Sequence, residues 1–329
     1  MPFSALPSNA RGALLALAAF AIFSTHDVLV KFLGESYSPI QTVFFSVLFS
    51  FPFFTLILIR SSASGNLIPK HPWWSLLRAA CVVVTGFAAF TAFSLLPLAQ
   101  TYALLFAMPM LITILSVPIL GERVGLHRGL AVIVGLIGVL IVLRPGSAPL
   151  SFGHLAGLVA AFASALGSII VRKIGSEERS AVLLLYPLLA NLVVMGGLLP
   201  TVYVPMPFLH LAAFAAIAAL SLVATALTIS AYRAGEATVV APMQYSQIIW
   251  ATIYGALIFS ELPDLTTIVG AGIVILSGVY IVMRENGKAA HSSEQPVLNT
   301  RTRLETGTAP RISPILERED ARQEDQEAA

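Results

Sequence analysis

One cysteine, Cys81, stands alone in an apolar stretch of this 329-residue chain, which excludes a disulfide framework or a cysteine-built metal site. The histidines offer no ligand spacing either: His26, His71, His127, His154, His210 and His291 are scattered. No Gly-rich loop ends in Lys-Ser/Thr, so no nucleotide is cradled in that way. Charge is scarce. Only 11% of residues are charged, where a soluble domain would carry about 25%. The net charge of +2 argues against nucleic acid as a partner. The short alternating strands of a membrane barrel are missing. The N-terminus lacks a cleavable-signal pattern, because the apolar run after Arg11 is long enough to span and has no small-residue site after a short core. Ser24, Thr25, His26 and Asp27 hold the residue types of a hydrolytic triad, but neighbours on one helix do not form that geometry. No cofactor is implied.

What remains is apolar: 57% of residues are hydrophobic and the mean hydropathy is +0.85. Ten segments reach the ~20 residues a span needs, at 12–33, 41–60, 73–96, 99–120, 126–144, 152–173, 180–201, 208–232, 236–260 and 265–284. All are expected to be helical, since backbone groups in lipid must pair within their own segment. Residues 1–284 hold 13 Lys/Arg and 8 Asp/Glu, the last 45 residues 6 and 9. The contrast separates a membrane body from a polar tail, 285–329, with too little apolar surface to order itself. With the N-terminus inside, the cytoplasmic loops take Arg11, Arg60, Lys70, Arg78, Arg123, Arg128, Arg172, Lys173, Arg179, Arg233, Arg284 and Lys288. The opposite side keeps only Arg144 and Lys31. That bias predicts cytoplasmic N- and C-termini.

The chain also repeats itself. "GVLIVLR" at 138–144 returns as "GVYIVMR" at 278–284. Glu122 in "PILGERVG" returns as Glu261 in "LIFSELPD". "AFA" at 19–21 returns at 161–163 and places Lys31 on Lys173. The offsets are 140, 139 and 142. Each half, 12–144 and 152–284, then holds five helices. An odd number starts the second half from the other side of the membrane, so the repeats are inverted. This is the design of secondary transporters, with a site near the midplane between halves.

The duplication, the "GER" and "SEL" turns before the last helix of each half, and the Gly-rich helices after them resemble the drug/metabolite transporter superfamily. Within it the chain resembles an EamA-type ten-helix transporter. The resemblance covers about 12–284 and implies efflux or uptake of small metabolites at the bacterial inner membrane. It also implies a central cavity lined by helices one, three, four, six, eight and nine. The stretch "DVLVKFLGESYSPIQTVFFSVLF" resembles a subgroup whose second helix carries Arg where this chain has Ser46, so no substrate is carried over.

Ionisable residues inside a span are costly and face a bundle interior or a watery cavity. Asp27 and Lys31, four apart, share a helix face and can pair with each other. His26 points about 100° away. His26 and Asp27 are therefore candidates to bind substrate and to take a proton, with Lys31 beside them or reaching for the interface. The ninth span supplies Gln244, Gln247, Ala251 and Tyr254 as one stripe, with Tyr245 and Trp250 off it. Hydrogen-bonding amides beside aromatic rings suit a flat or zwitterionic metabolite, or else hydrogen bonds between helices. Tyr102 in the fourth span matches the region of residue 241. Pro109, Pro118 and Pro242 are candidate breaks or kinks. Gly135, Gly138, Gly270, Gly272 and Gly278 let helices approach closely, within the chain or across a homodimer. Glu122 and Glu261 end helices at opposite faces. Glu122, next to Arg123, suggests a local ion pair or cap, while the family resemblance implies a structural or gating role for both glutamates rather than substrate binding.

These observations point to a carrier in the membrane lipid, working by alternating access on a small polar or amphipathic organic metabolite, with protons as a candidate coupling partner. The competing class is a membrane enzyme acting on a lipid-linked substrate. It needs a charge cluster near one face, which the inverted repeat does not favour.

Overall fold

The structure, a computed structural model, describes residues 7–60, 67–122, 124–145, 150–175 and 177–286. The tail expected to be unstructured lies outside the described residues from 287 onward, as does Arg123. Among the described residues every extended regular element is helical. The helices are α1 (Ser8–Gly34), α2 (Pro39–Arg60), α3 (Pro72–Leu95), α4 (Leu98–Leu105), α5 (Met108–Leu120) and α6 (Leu126–Leu143) in the first half. The second half holds α7 (Phe152–Ile174), α8 (Ser180–Leu198), α9 (Phe208–Ala234), α10 (Ala237–Val240), α11 (Gln247–Ile258) and α12 (Leu265–Asn286). Eight of the spans are long and apolar enough to cross a membrane by length and composition. The 22-residue α2 and the composite α10–α11 complete ten.

The fourth span of each half is not continuous. Pro109 lacks the N–H that would bond back along the helix, and the chain breaks into α4 and α5 at Phe106–Ala107. Pro242 acts alike: Ala241–Ser246 is a 3-10 turn between α10 and α11. Pro118 stays inside α5 without ending it. The breaks face each other, because α4 packs on α11.

The halves are threaded through one another. The first helix of each packs on the third span of the other, α1 on α9 and α7 on α3. The last helices, α6 and α12, pair along their length. This seam needs glycine at its crossing point. A Cβ on Gly138 would lie 2.9 Å from the Gly270 carbonyl, and one on Gly270 would lie 2.7 Å from that of Gly138. Gly135 and Gly278 are also filled, by Met110 and by Tyr245. Gly272 departs from the expectation: nothing lies within 4 Å of its Cβ position. At one end of the seam Asp264 accepts the Thr267 amide at 2.9 Å to cap α12, and it pairs with Arg144 at the end of α6.

The outer face of α6 shows Leu126, Leu130, Ile133, Ile137 and Leu140. That spacing of four and three residues draws one apolar stripe, which in a multi-pass membrane protein meets lipid.

Gly270→Ala forces apart two backbones that have no slack, at a cost of about 1–3 kcal/mol for overpacking. It should lower the thermal midpoint of the detergent-solubilised protein, while Gly272→Ala leaves it unchanged. Equal midpoints for both variants would contradict the seam.

Candidate functional site

Asp27 sits seven residues before the end of α1, about 10 Å along the helix from its terminus at 1.5 Å per residue. It is buried to 1% exposure. Its carboxylate is nevertheless well held. The His26 ring meets Oδ1 through Nδ1 at 2.7 Å, and the Tyr102 hydroxyl donates to Oδ2. That hydroxyl in turn accepts from Gln247 Nε2 at 3.3 Å, with Ser24 Oγ 3.5 Å away. Phe93 and Phe106 flank the Tyr102 ring, with centroids at 5.5 and 5.8 Å. Tyr102 lies on α4, just ahead of the break in its span, and Gln247 is the first residue of α11 after the 3-10 turn. The two broken spans thus deliver one side chain each to the same carboxylate network. His26, although turned to another part of the helix surface, bends back to its neighbour and sets its ring edge-on to Phe90 of α3 at 6.4 Å.

A second cluster lies on the α1–α11 seam. Tyr254 OH is 3.0 Å from Thr25 Oγ1, and the Trp250 ring stacks on Tyr254 at 6.2 Å. Trp250 and Tyr254 are half-buried. Together the clusters offer a carboxylate, an imidazole, a phenol and an amide beside a flat aromatic face. That set can bind a polar group at one end and a ring at the other.

The structure separates some residues that the spacing grouped. Lys31 does not pair with Asp27. Its ammonium reaches Glu261 Oε1 at 2.9 Å, donates to the Leu96 carbonyl at 2.7 Å and lies 5.2 Å from the centre of the Phe259 ring. The turn after α11 brings Glu261 and Phe259, and the end of α3 brings Leu96, to the face of α1 that Lys31 shares with Asp27. Tyr245 turns away from the Asp27 network. Its ring packs on Phe106 at 4.9 Å, and its hydroxyl fills the space over Gly278. Gln244 is half-buried on the same 3-10 turn. Glu122 pairs with Arg172 of the second half; the local pair expected with Arg123 lies outside the described residues.

Sequence reasoning passed over Thr25 and Ser24, which as hydroxyls in an apolar helix carry no pattern that marks them. It also passed over Glu261 as the partner of Lys31 and Arg172 as that of Glu122. A signal existed in part, since the two glutamates had already been matched across the repeat, whereas Lys31 had been matched to Lys173, one position past Arg172.

Two five-span halves meeting at a polar, partly aromatic seam define a membrane solute transporter. The chain belongs to the EamA-like transporter family, whose model matches twice, at residues 10–144 and 151–284. It is similar to an S-adenosylmethionine uptake transporter of Rickettsia bellii, 26% identical over 263 residues that cover 80% of this chain and 90% of the relative. It is also similar to the pseudopaline exporter CntI of Pseudomonas aeruginosa, 25% identical, with 84% and 97% covered. A riboflavin transporter of Vibrio cholerae is 30% identical over 224 residues, with 66% and 73% covered. One solved crystal structure shares the fold at a TM-score of 0.53 and 14% identity, covering 86% of this chain and 99% of the other. The protein is a transporter of small metabolites, not an enzyme.

Tyr102→Phe removes a hydrogen bond to a charged, buried group, a loss of about 1.5–3 kcal/mol, whereas Tyr254→Phe removes a neutral one, about 0.5–1.5 kcal/mol. Thermal midpoints in detergent should fall in that order. The reverse order would remove Tyr102 from the centre of the network.

Proposed function

We propose that the protein is a secondary carrier of the bacterial inner membrane, with both termini cytoplasmic. It moves a small polar or amphipathic organic metabolite by alternating access between its halves, 12–144 and 152–284. The observation that carries this reading is the buried Asp27 carboxylate, bonded to Tyr102, whose hydroxyl is bonded to Gln247 of the other half. A group shared by both halves feels any rocking of one against the other. His26, Asp27, Tyr102 and Gln247 bind the polar part of the cargo. Trp250 and Tyr254 take a ring, and Gln244 borders them. The named cargoes of two relatives, S-adenosylmethionine and riboflavin, both join a flat ring system to a polar chain, which supports an amphipathic class. The relatives include an uptake carrier and an exporter, so the fold serves either direction.

Asp27 also couples transport to protons in this reading. A carboxylate beside an imidazole in a low-dielectric site changes charge readily when a partner leaves. The apolar stripe on the outer face of α6 is the surface on which two copies would meet as a homodimer.

The carrier reading is tested by comparing intracellular and medium metabolites in cells expressing wild type or an Asp27→Asn/Gln247→Ala double variant at matched membrane levels. A metabolite that shifts only with wild type supports carrier and site together. Equal shifts with both proteins would discard the site, and no shift across several hosts would discard the carrier. Once a cargo is known, Asp27→Asn in proteoliposomes should abolish uptake driven by a pH gradient and leave counterflow exchange intact. Undiminished gradient-driven uptake would refute proton coupling through Asp27.

A further inference from the structure

Two ion pairs join the halves at opposite faces of the membrane, and the repeat relates them. At one face Lys31, near the end of α1, meets Glu261 after α11. At the other, Arg172, near the end of α7, meets Glu122 after α5. Each pair therefore links the first helix of one half to the fourth span of the other. The local supports match as well. Gly121 and Ser260 hold the left-handed turn before each glutamate, with φ of 73° and 55°, and the amide of each glutamate returns to the carbonyl six residues earlier, Ser116 at 3.3 Å and Gly255 at 2.8 Å. Beside Arg172, Lys173 donates to the Ile119 carbonyl at 2.9 Å and lies 4.8 Å from the Trp74 ring centre. Lys31 likewise makes one carbonyl and one ring contact, with Leu96 at the end of α3 in its own half and with Phe259 at the end of α11.

We propose that Lys31–Glu261 and Arg172–Glu122 are the two gates of the transport cycle, one for each face, broken alternately as the halves rock. This rests on the alternating-access reading above. Three features favour a gate over a static brace. First, both bonds cross between halves, and any opening between α1 and α11, or between α7 and α5, must separate them. Second, Lys31 also holds the Leu96 carbonyl, so its ammonium remains solvated by protein when the Glu261 carboxylate withdraws. A buried charge left with no partner would cost several kcal/mol. Third, the gates are unequal in this conformation. Glu122 is 10% exposed and Glu261 28%, and α5 lies along α7 more fully than α11 lies along α1. The Lys31–Glu261 gate is thus the thinner one here. Lys31 also follows Asp27 by one helical turn on the same face, so a cargo bound at Asp27 sits directly beneath that gate.

The test needs no cargo. Spin labels are placed on cysteines in the full-length protein carrying Cys81→Ser, reconstituted in lipid nanodiscs. Ser36 and Leu262 report the Lys31 face, Leu126 and Glu177 the Arg172 face, by pulsed dipolar distance measurement. Lys31→Gln and Glu261→Gln should lengthen the Ser36–Leu262 distance by several ångströms and leave Leu126–Glu177 unchanged or shorter. Glu122→Gln should do the converse. The swap Lys31→Glu/Glu261→Lys should restore the wild-type distance, which a purely steric role for these side chains would not predict. Distances unmoved in folded neutral variants, both faces widening together, or a swap that fails to restore would each overturn the proposal. Should Lys31→Gln not fold, Glu261→Gln, at the more exposed end of the pair, gives the same decision. Because the readout is a distance, a missing metabolite shift would count against the carrier reading and not against the gates.

Discussion

Charge inside an apolar bundle is the constraint on which this structure turns. Asp27 and Lys31 lie one turn apart on α1, both nearly fully buried, in a helix with no polar face to speak of. A lone ion in such surroundings is far more costly than a paired one, and lipid offers no partner. The partners must therefore come from the protein itself, and here both halves supply them: His26 and Tyr102 of the same half meet Asp27 directly. Glu261 answers Lys31, and Gln247 reaches Asp27 through Tyr102. The same demand operates at Arg172, answered by Glu122. Pairing of polar groups across the repeat is thus both what holds the two halves in register and what places reactive groups between them.

The broken spans follow from that demand. A continuous fourth helix would fix the direction of every side chain by its 3.6-residue period. Pro109 and Pro242 interrupt that period near the middle of the two equivalent spans. Tyr102 and Gln247 then project toward α1 from the two sides of the break. The tight parts of the fold lie elsewhere, in glycine contacts such as Gly138–Gly270, where two backbones meet with no side chain between them. A seam of this kind resists separation, whereas the α1–α11 contact is polar, half-buried and less extensive. The molecule accordingly combines a stiff seam at α6–α12 with a looser one at the candidate site.

Much of the fold was legible in the chain. Ten apolar runs, a repeat at one offset and an odd number of helices per half lead to inverted repeats without any coordinates. The candidate site was legible in part. His26, Asp27, Tyr102 and Gln247 stand out as polar groups in apolar helices, and the structure brings them together. The Asp27–Lys31 pair did not form, because an i,i+4 spacing says only that two side chains share a face. It is silent on whether a third helix supplies a better partner. Tyr245, which the spacing had already set off the polar stripe, packs from the 3-10 turn onto Phe106 and Gly278.

The amino-acid sequence by itself determined the class of environment, the number of spans, the duplication and the short list of polar residues. Each follows from local composition, since burial in lipid depends on runs of residue type and on little else. Tertiary structure alone decided which polar residue answers which. That choice depends on where helices far apart in the chain cross, and on how a proline break or a left-handed turn aims the side chain beside it. Glu261 and Glu122 illustrate the difference. Their equivalence is written in the repeat, but their partners lie on the other half, 230 and 50 positions away along the chain.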